Sequence, residues 1–77
     1  MHAKSRELNL QFLGFHLLPP RIFNTISVGR LSVLRVSGNQ LEQLPAAVGC
    51  LVGLTELNCS NNLIAFLPTQ MKYLNRL

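Results

Sequence analysis

A period of 23 residues organises most of this 77-residue chain. When the sequence is shifted by that period, ten positions coincide with an identical or similarly apolar residue. The coinciding pairs are Leu31 and Leu54, Leu34 and Leu57, Val36 and Cys59, Asn39 and Asn62, Leu41 and Ile64, Leu44 and Leu67, Pro45 and Pro68, Val48 and Met71, Leu51 and Leu74, and Leu54 and Leu77. A fixed period of this length is the signature of a solenoid, in which each repeat packs on its neighbours.

A degenerate copy precedes the two regular ones. Its positions are filled by Leu8, Leu10, Phe15, Leu18 and Pro19, which align with Leu34, Val36, Leu41, Leu44 and Pro45. Leu13 occupies the asparagine position, and the connection is three residues longer, between Ile22 and Val28. Atypical terminal copies are expected, because an end unit has a neighbour on one side only. We therefore divide the chain into a tail (1–6), a first repeat (7–30), a second repeat (31–53) and a third repeat (54–77).

Each copy begins with a short segment in which apolar and polar residues alternate. These segments are Leu8-Asn9-Leu10, Leu34-Arg35-Val36 and Leu57-Asn58-Cys59. Alternation with period two predicts strands with one buried face, with Leu8, Leu34 and Leu57 in one row and Leu10, Val36 and Cys59 in the next. Parallel strands need a long return connection, which the rest of each repeat supplies. Within it, the stretches Pro45 to Leu51 and Pro68 to Leu74 are predicted to form a short helix or a 3₁₀ turn.

The second repeat resembles the leucine-rich-repeat consensus. It reads Leu31-x-x-Leu34-x-Val36-x-x-Asn39-x-Leu41-x-x-Leu44-Pro45, and the resemblance extends over residues 28–77. The repeat length and the Leu-Pro pair resemble the intracellular class found in Ras-pathway scaffolds and cell-polarity proteins. The resemblance implies an α/β solenoid with short parallel β-strands on the concave face and loops or short helical turns on the convex face. It also implies a structural role for Asn39 and Asn62 as a ladder of stacked asparagines.

The resemblance further implies a scaffold or adaptor module of signal transduction, which binds a protein partner through the concave face. The residues predicted to face outward there form three rows: Glu7, Val33 and Glu56; Asn9, Arg35 and Asn58; Gln11, Ser37 and Ser60. Two interpretations of Arg35 stay open, a partner contact and a surface ion pair with Glu7 or Glu56. Three such strands project roughly 240 Å², against about 800 Å² per partner in a standard interface. We therefore expect further repeats or another surface to complete the interface.

An alternative function is the substrate- or regulator-binding repeat region of a larger enzyme whose catalytic domain lies outside this chain. The residues present offer no acid–base or nucleophile constellation, so we expect no enzymatic activity from them. Cys59 is predicted to be a packed thiol, and Cys50 has no acid–base partner in view. Together with the scattered His2 and His16, these thiols predict no metal site and no cofactor.

Charge and hydropathy narrow the classes of partner and the location that we expect. The net charge of +4 comes from scattered basic residues without a run or interleaved aromatics, so no nucleic-acid partner is expected. No apolar stretch approaches the roughly 20 residues of a membrane span, and no clean signal-peptide core is present. A cytoplasmic location is expected, and a nuclear one stays open.

Leu74 and Leu77 are the first leucines of a fourth repeat whose strand is missing from the sequence. This predicts a fragment of a longer array, marginal stability, or self-association through an uncapped C-terminal edge.

Overall fold

The computed structural model of the chain describes residues 6–19, 23 and 30–77. Its three strands are β1 (Glu7–Asn9), β2 (Val33–Arg35) and β3 (Glu56–Asn58), and they form one parallel sheet in the order β1-β2-β3. Two 3₁₀ helices span Ala46–Cys50 and Thr69–Tyr73, each directly after a proline. The sequence allowed either a short helix or a 3₁₀ turn after Pro45 and Pro68, and the structure has a 3₁₀ helix after each proline.

The sheet register agrees with the alternating pattern. Leu8 lies opposite Leu34, and Leu34 lies opposite Leu57. Each strand begins and ends one residue earlier than the predicted triplet, which is a correction to the strand bounds. The physical reason is visible at Val36: its N–H still donates to the carbonyl of Asn58 at 2.8 Å, whereas its carbonyl accepts from asparagine side chains instead of from a strand.

The core is deepest in the second repeat. Leu34 is 1% exposed, whereas its counterparts Leu8 and Leu57 are half-buried. Within the described part of the chain, only the second repeat has a neighbouring coil on both sides. Cys59 is likewise half-buried and packs against the core, which agrees with the prediction of a packed thiol. The buried apolar side chains are Leu18, Phe23, Leu31, Leu34, Val36, Leu41, Leu44, Val48, Leu51, Leu54 and Leu74.

Phe23 is a core residue that the repeat pattern did not assign. It lies in the connection where the first repeat is longer than the others. Apart from Phe23, the inserted stretch between Ile22 and Val28 falls outside the described residues, as do residues 1–5 of the tail with His2. Arg6, assigned to that tail, already takes part in the fold, because its carbonyl accepts from the Ser32 N–H at 2.8 Å.

The turn after each strand uses one equivalent position with a left-handed backbone. Phe12, Gly38 and Asn61 occupy it, with φ angles of 57°, 71° and 55°. Glycine and asparagine tolerate this region, whereas a bulky residue such as Phe12 is strained in it. The Phe12 ring packs directly over Gly38, where an added β-carbon would overlap the ring. The turn geometry is therefore a property of the repeat, which holds even where the residue type is unfavourable.

Candidate protein-binding face

The exposed face of the sheet carries the predicted rows of side chains in the expected register. Glu7 pairs with Val33 and Val33 with Glu56, while Arg35 lies between Asn9 and Asn58. In the third row Gln11 and Ser37 are in contact, because the Gln11 Nε2 donates to the Ser37 Oγ at 2.7 Å. These three rows, the concave face, form one continuous surface.

Arg35 connects the two carboxylates of the first row. Its Nε donates to Glu7 Oε2 at 2.8 Å, and Nη1 of the same guanidinium group lies 2.9 Å from Glu56 Oε2. The hydrogen bond that Arg35 donates to Glu7, together with the negative charge of Glu56, raises the pKa of Arg35 above its ordinary value. Arg35 therefore stays protonated at every physiological pH, and the face carries two negative charges against one positive charge. The structure forms the ion pair with both carboxylates at once, where the sequence suggested one or the other.

Asn9 and Asn58 hold the ends of their own strands. The Asn9 Oδ1 accepts from the backbone N–H of Gln11 at 3.0 Å, and the Asn58 Oδ1 accepts from both the N–H and the hydroxyl of Ser60 at 3.2 and 2.9 Å. In each case a short polar side chain bonds to the backbone two residues ahead, which favours a turn. Each Oδ1 is engaged in this way, whereas the described residues accept no bond from either Nδ2, which leaves both amides able to donate.

The exposure of the predicted contact residues is uneven. Glu7, Asn9, Glu56 and Ser60 are exposed, whereas Ser37 is 4% exposed and lies under the Gln11 side chain. Ser37 was predicted to be exposed to a partner. The structure buries it in the second coil instead, which corrects its predicted exposure. The accessible part of the concave face is therefore its two outer strands with Arg35 between them.

The asparagine side chains form hydrogen bonds between coils. The Asn39 Oδ1 accepts from the N–H groups of Leu13 and Phe15 at 3.1 and 3.0 Å, and its Nδ2 donates to the Leu10 and Val36 carbonyls at 2.9 and 2.8 Å. Asn62 repeats the arrangement one coil later, accepting from the Leu41 N–H at 3.1 Å. An amide offers both donors and an acceptor, so one side chain serves backbone groups of two coils.

The remaining chemical groups are dispersed. Cys50 is exposed, Cys59 is half-buried, and both are free thiols. Within residues 6–19, 23 and 30–77, no three His, Cys, Asp or Glu side chains lie close enough together to hold a metal ion. No helix in the same residues is long and apolar enough to cross a membrane.

Several exposed apolar side chains were not singled out by the sequence. They lie on the loops that follow the first and third strands, and they are Phe12, Leu13, Leu17, Leu63 and Phe66. The sequence does indicate that some of these positions are exposed, because the second repeat has a polar residue there. Gln40 stands at the position of Leu63, and Gln43 stands at that of Leu17 and Phe66. The comparison within the repeat therefore distinguishes these side chains from the core leucines.

Short parallel strands, one in each coil, and a 3₁₀ return on the opposite side define a solenoid with an open sheet face. Residues 30–51 match the family model described as Leucine Rich Repeat. The chain is a leucine-rich-repeat protein, and this family generally mediates interactions between proteins.

Two relatives support this assignment. The Leucine-rich repeat-containing protein 69 of Xenopus laevis is 49% identical over 35 residues, which are 46% of this chain and 10% of that protein. A solved leucine-rich-repeat protein of Leptospira interrogans superposes with a TM-score of 0.82 at 32% identity, over 94% of this chain and 18% of that chain. The chain thus spans only a small part of the length of either relative.

Proposed function

We propose that this chain acts as a scaffold or adaptor segment that binds a protein partner through its concave face. The observation that carries the proposal is Arg35, which holds Glu7 and Glu56 in fixed positions on an otherwise open sheet. Both carboxylates remain largely accessible, since their side chains are 44% and 52% exposed. The face has a net negative charge in a chain of net charge +4. A partner segment with a cation that reaches Glu7 or Glu56 fits this face best.

The alternative is that the same face presents a substrate or a regulator to the catalytic domain of a larger enzyme. Leucine-rich repeats are typically interaction modules without catalysis of their own, and both functions would use the same surface. We propose a cytoplasmic location, which the two free thiols support, because reducing compartments keep thiols unpaired.

The binding proposal is tested by capture from a cell extract with the chain immobilised, comparing wild type with the double variant Glu7→Gln and Glu56→Gln. We expect proteins retained by wild type to be lost from this variant, while the circular dichroism spectrum stays unchanged. The matched control is Glu42→Gln, which removes the same kind of carboxylate from an exposed position outside the sheet. Equal retention by all three proteins would place the binding surface elsewhere on the molecule.

We further propose that the chain self-associates through the face of the third coil that points away from the second. Leu67 and Leu77 support it, since they are 54% and 51% exposed whereas their counterparts Leu44 and Leu54 are buried. Exposed apolar surface of this kind favours association. Sedimentation velocity between about 1 and 100 µM tests the proposal, with a rise in mean mass expected and a constant mass of 8.6 kDa against it.

A further inference from the structure

The surface above the middle strand is completed from both sides by the neighbouring coils. At one end of it, Arg35 bonds to the carboxylates of Glu7 and Glu56. At the other end, the Phe12 ring packs over Gly38. Both contacts are made on the second coil, which has a described coil on each side. This surface therefore does not depend on how the array begins or ends.

Phe12 forms an exposed aromatic platform at the end of the concave face. Its N–H donates to the Ser37 carbonyl at 3.1 Å, which places Phe12 beside the third row. The ring leans over the second coil because Gly38 has no side chain there, and Phe12 remains 72% exposed. Its φ of 57° is unfavourable for a bulky residue. Strained backbone of this kind clusters at binding sites, which favours a role beyond packing for the exposed ring.

The two carboxylates at the other end each keep one oxygen for a partner. Arg35 bonds to the Oε2 atoms of Glu7 and Glu56, and no described residue donates a hydrogen bond to either Oε1. The guanidinium group holds both side chains in place, so little side-chain freedom is lost when a ligand binds them. Two negative charges against one positive charge favour a basic side chain as that ligand.

Asn9 and Asn58 lie on either side of Arg35, between the acidic end and the aromatic end. No described residue accepts a hydrogen bond from either Nδ2. An extended peptide segment has backbone carbonyls that need donors, whereas the carbonyls inside a helix are already bonded. The two amides therefore favour an extended segment over a helical one.

We infer that the concave face binds an extended peptide segment along the middle strand, with a basic side chain at Glu7 and Glu56 and an apolar side chain on the Phe12 ring. The inference rests on the proposed binding function and names the chemical class of the partner segment. It adds Phe12 to the residues that determine which partner is bound.

The length of the surface sets the spacing of these two side chains. Glu7 and Glu56 lie in register with Val33 and reach Arg35, which are five and three residues before Gly38. At roughly 3.3 Å per residue, the carboxylates and the ring are about 10–17 Å apart. Side chains four positions apart in an extended segment share one face and lie about 13 Å apart. The inferred pattern is therefore a basic and an apolar residue separated by three others.

Binding of synthetic peptides to the 77-residue chain tests this pattern. The probes are capped serine-rich peptides of about nine residues, with arginine and leucine four positions apart in one order or the other. The comparison peptide has the same composition with arginine and leucine three positions apart, which places them on opposite faces of an extended segment. NMR titration measures the dissociation constants. We expect one of the two orders to bind at least about fivefold more tightly than the comparison peptide.

Phe12→Asn isolates the aromatic end. Asn61 occupies the equivalent position in the third coil with nearly the same φ, so the fold is kept. The affinity for the better peptide should fall at least about fivefold, as for the loss of an interface anchor, while the circular dichroism spectrum stays unchanged. The matched control is Phe66→Asn, because Phe66 is 84% exposed on a loop outside the concave face. Its affinity should stay within about twofold of wild type.

The outcomes separate this inference from the proposed binding function. If Phe12→Asn binds like wild type while the double variant Glu7→Gln and Glu56→Gln binds more weakly, the aromatic contact is wrong and the concave face remains the binding surface. Equal affinity for the comparison peptide would overturn the extended geometry. If neither ordered peptide binds, the inference fails, whereas capture of cellular proteins still decides the proposed function.

Discussion

The side chains of Asn39 and Asn62 donate to the same backbone carbonyl, that of Val36, at 2.8 and 3.0 Å. Val36 directly follows the middle strand, which ends at Arg35, so its carbonyl has left the ladder of the sheet and needs other donors. The two asparagines supply them from its own coil and from the next coil. The three coils are therefore connected at the strand ends by side-chain amides, in addition to the sheet.

Asn39→Ala should destabilise the fold more than Asn62→Ala. Asn39 is 6% exposed and bonds to two backbone N–H groups of the preceding coil, whereas Asn62 is half-buried and bonds to one. Each buried group that loses its partner costs about 1–3 kcal/mol. Urea denaturation followed by circular dichroism measures the difference, with Gln40→Ala at the exposed neighbouring position as the control. Equal effects of the three substitutions would show that water replaces the amide bonds without cost.

Gly49→Ala should destabilise the contact between the two 3₁₀ helices. An added β-carbon would lie 2.6 Å from the Gln70 β-carbon and 2.7 Å from its carbonyl oxygen. Because one of these atoms belongs to the backbone, the helices must move apart, at a cost of about 1–3 kcal/mol. The measurement is the free energy of unfolding at a concentration at which the protein is monomeric.

Lys72→Ala is the matched control for that substitution. Lys72 is the counterpart of Gly49 one repeat later, and its side chain is exposed, 5.4 Å from the ring centre of Tyr73. The free energy of unfolding should change by no more than about 0.5 kcal/mol. If Gly49→Ala were equally harmless, the close approach at Gln70 would not limit the packing of the coils.

Phe12→Asn should stabilise the first coil. Phe12 has a φ of 57°, and Asn61 adopts nearly the same angle at the equivalent position of the third coil. Replacement of a bulky residue by asparagine relieves left-handed strain of about 1 kcal/mol or more, and the ring is 72% exposed, so little burial is lost. Thermal unfolding by circular dichroism reports the change. A lower melting temperature would instead assign the larger effect to the packing of the ring over Gly38.

Leu44→Ala and Leu67→Ala compare one repeat position in two coils. Leu44 is 3% exposed and Leu67 is 54% exposed, because the third coil has no described neighbour on its outer side. Truncation of a buried leucine costs about 2–5 kcal/mol, and truncation of the exposed one should cost less than about 1 kcal/mol in the monomer. Chemical denaturation at low concentration measures both. Similar costs would mean that Leu67 is covered in solution.

The sequence predicted the repeat, the strand order, the register and the positions of Asn39 and Asn62, because each of these follows from spacing along the chain. A side-chain period of two fixes which residues share a face, and the 23-residue period fixes which residues share a row. The strand bounds were one residue late because the pattern does not show where a carbonyl leaves the ladder for an asparagine side chain.

Tertiary structure alone decided how deeply each equivalent residue is buried and which side chains meet across coils. Leu34 and Leu57 are equivalent in sequence, yet only Leu34 is fully buried, since burial depends on having a coil on both sides. The burial of Ser37 under Gln11, and the pairing of Arg35 with both carboxylates, depend in the same way on the distance between coils. Spacing along the chain is a local property, whereas burial and contact between coils exist only once the repeats have stacked.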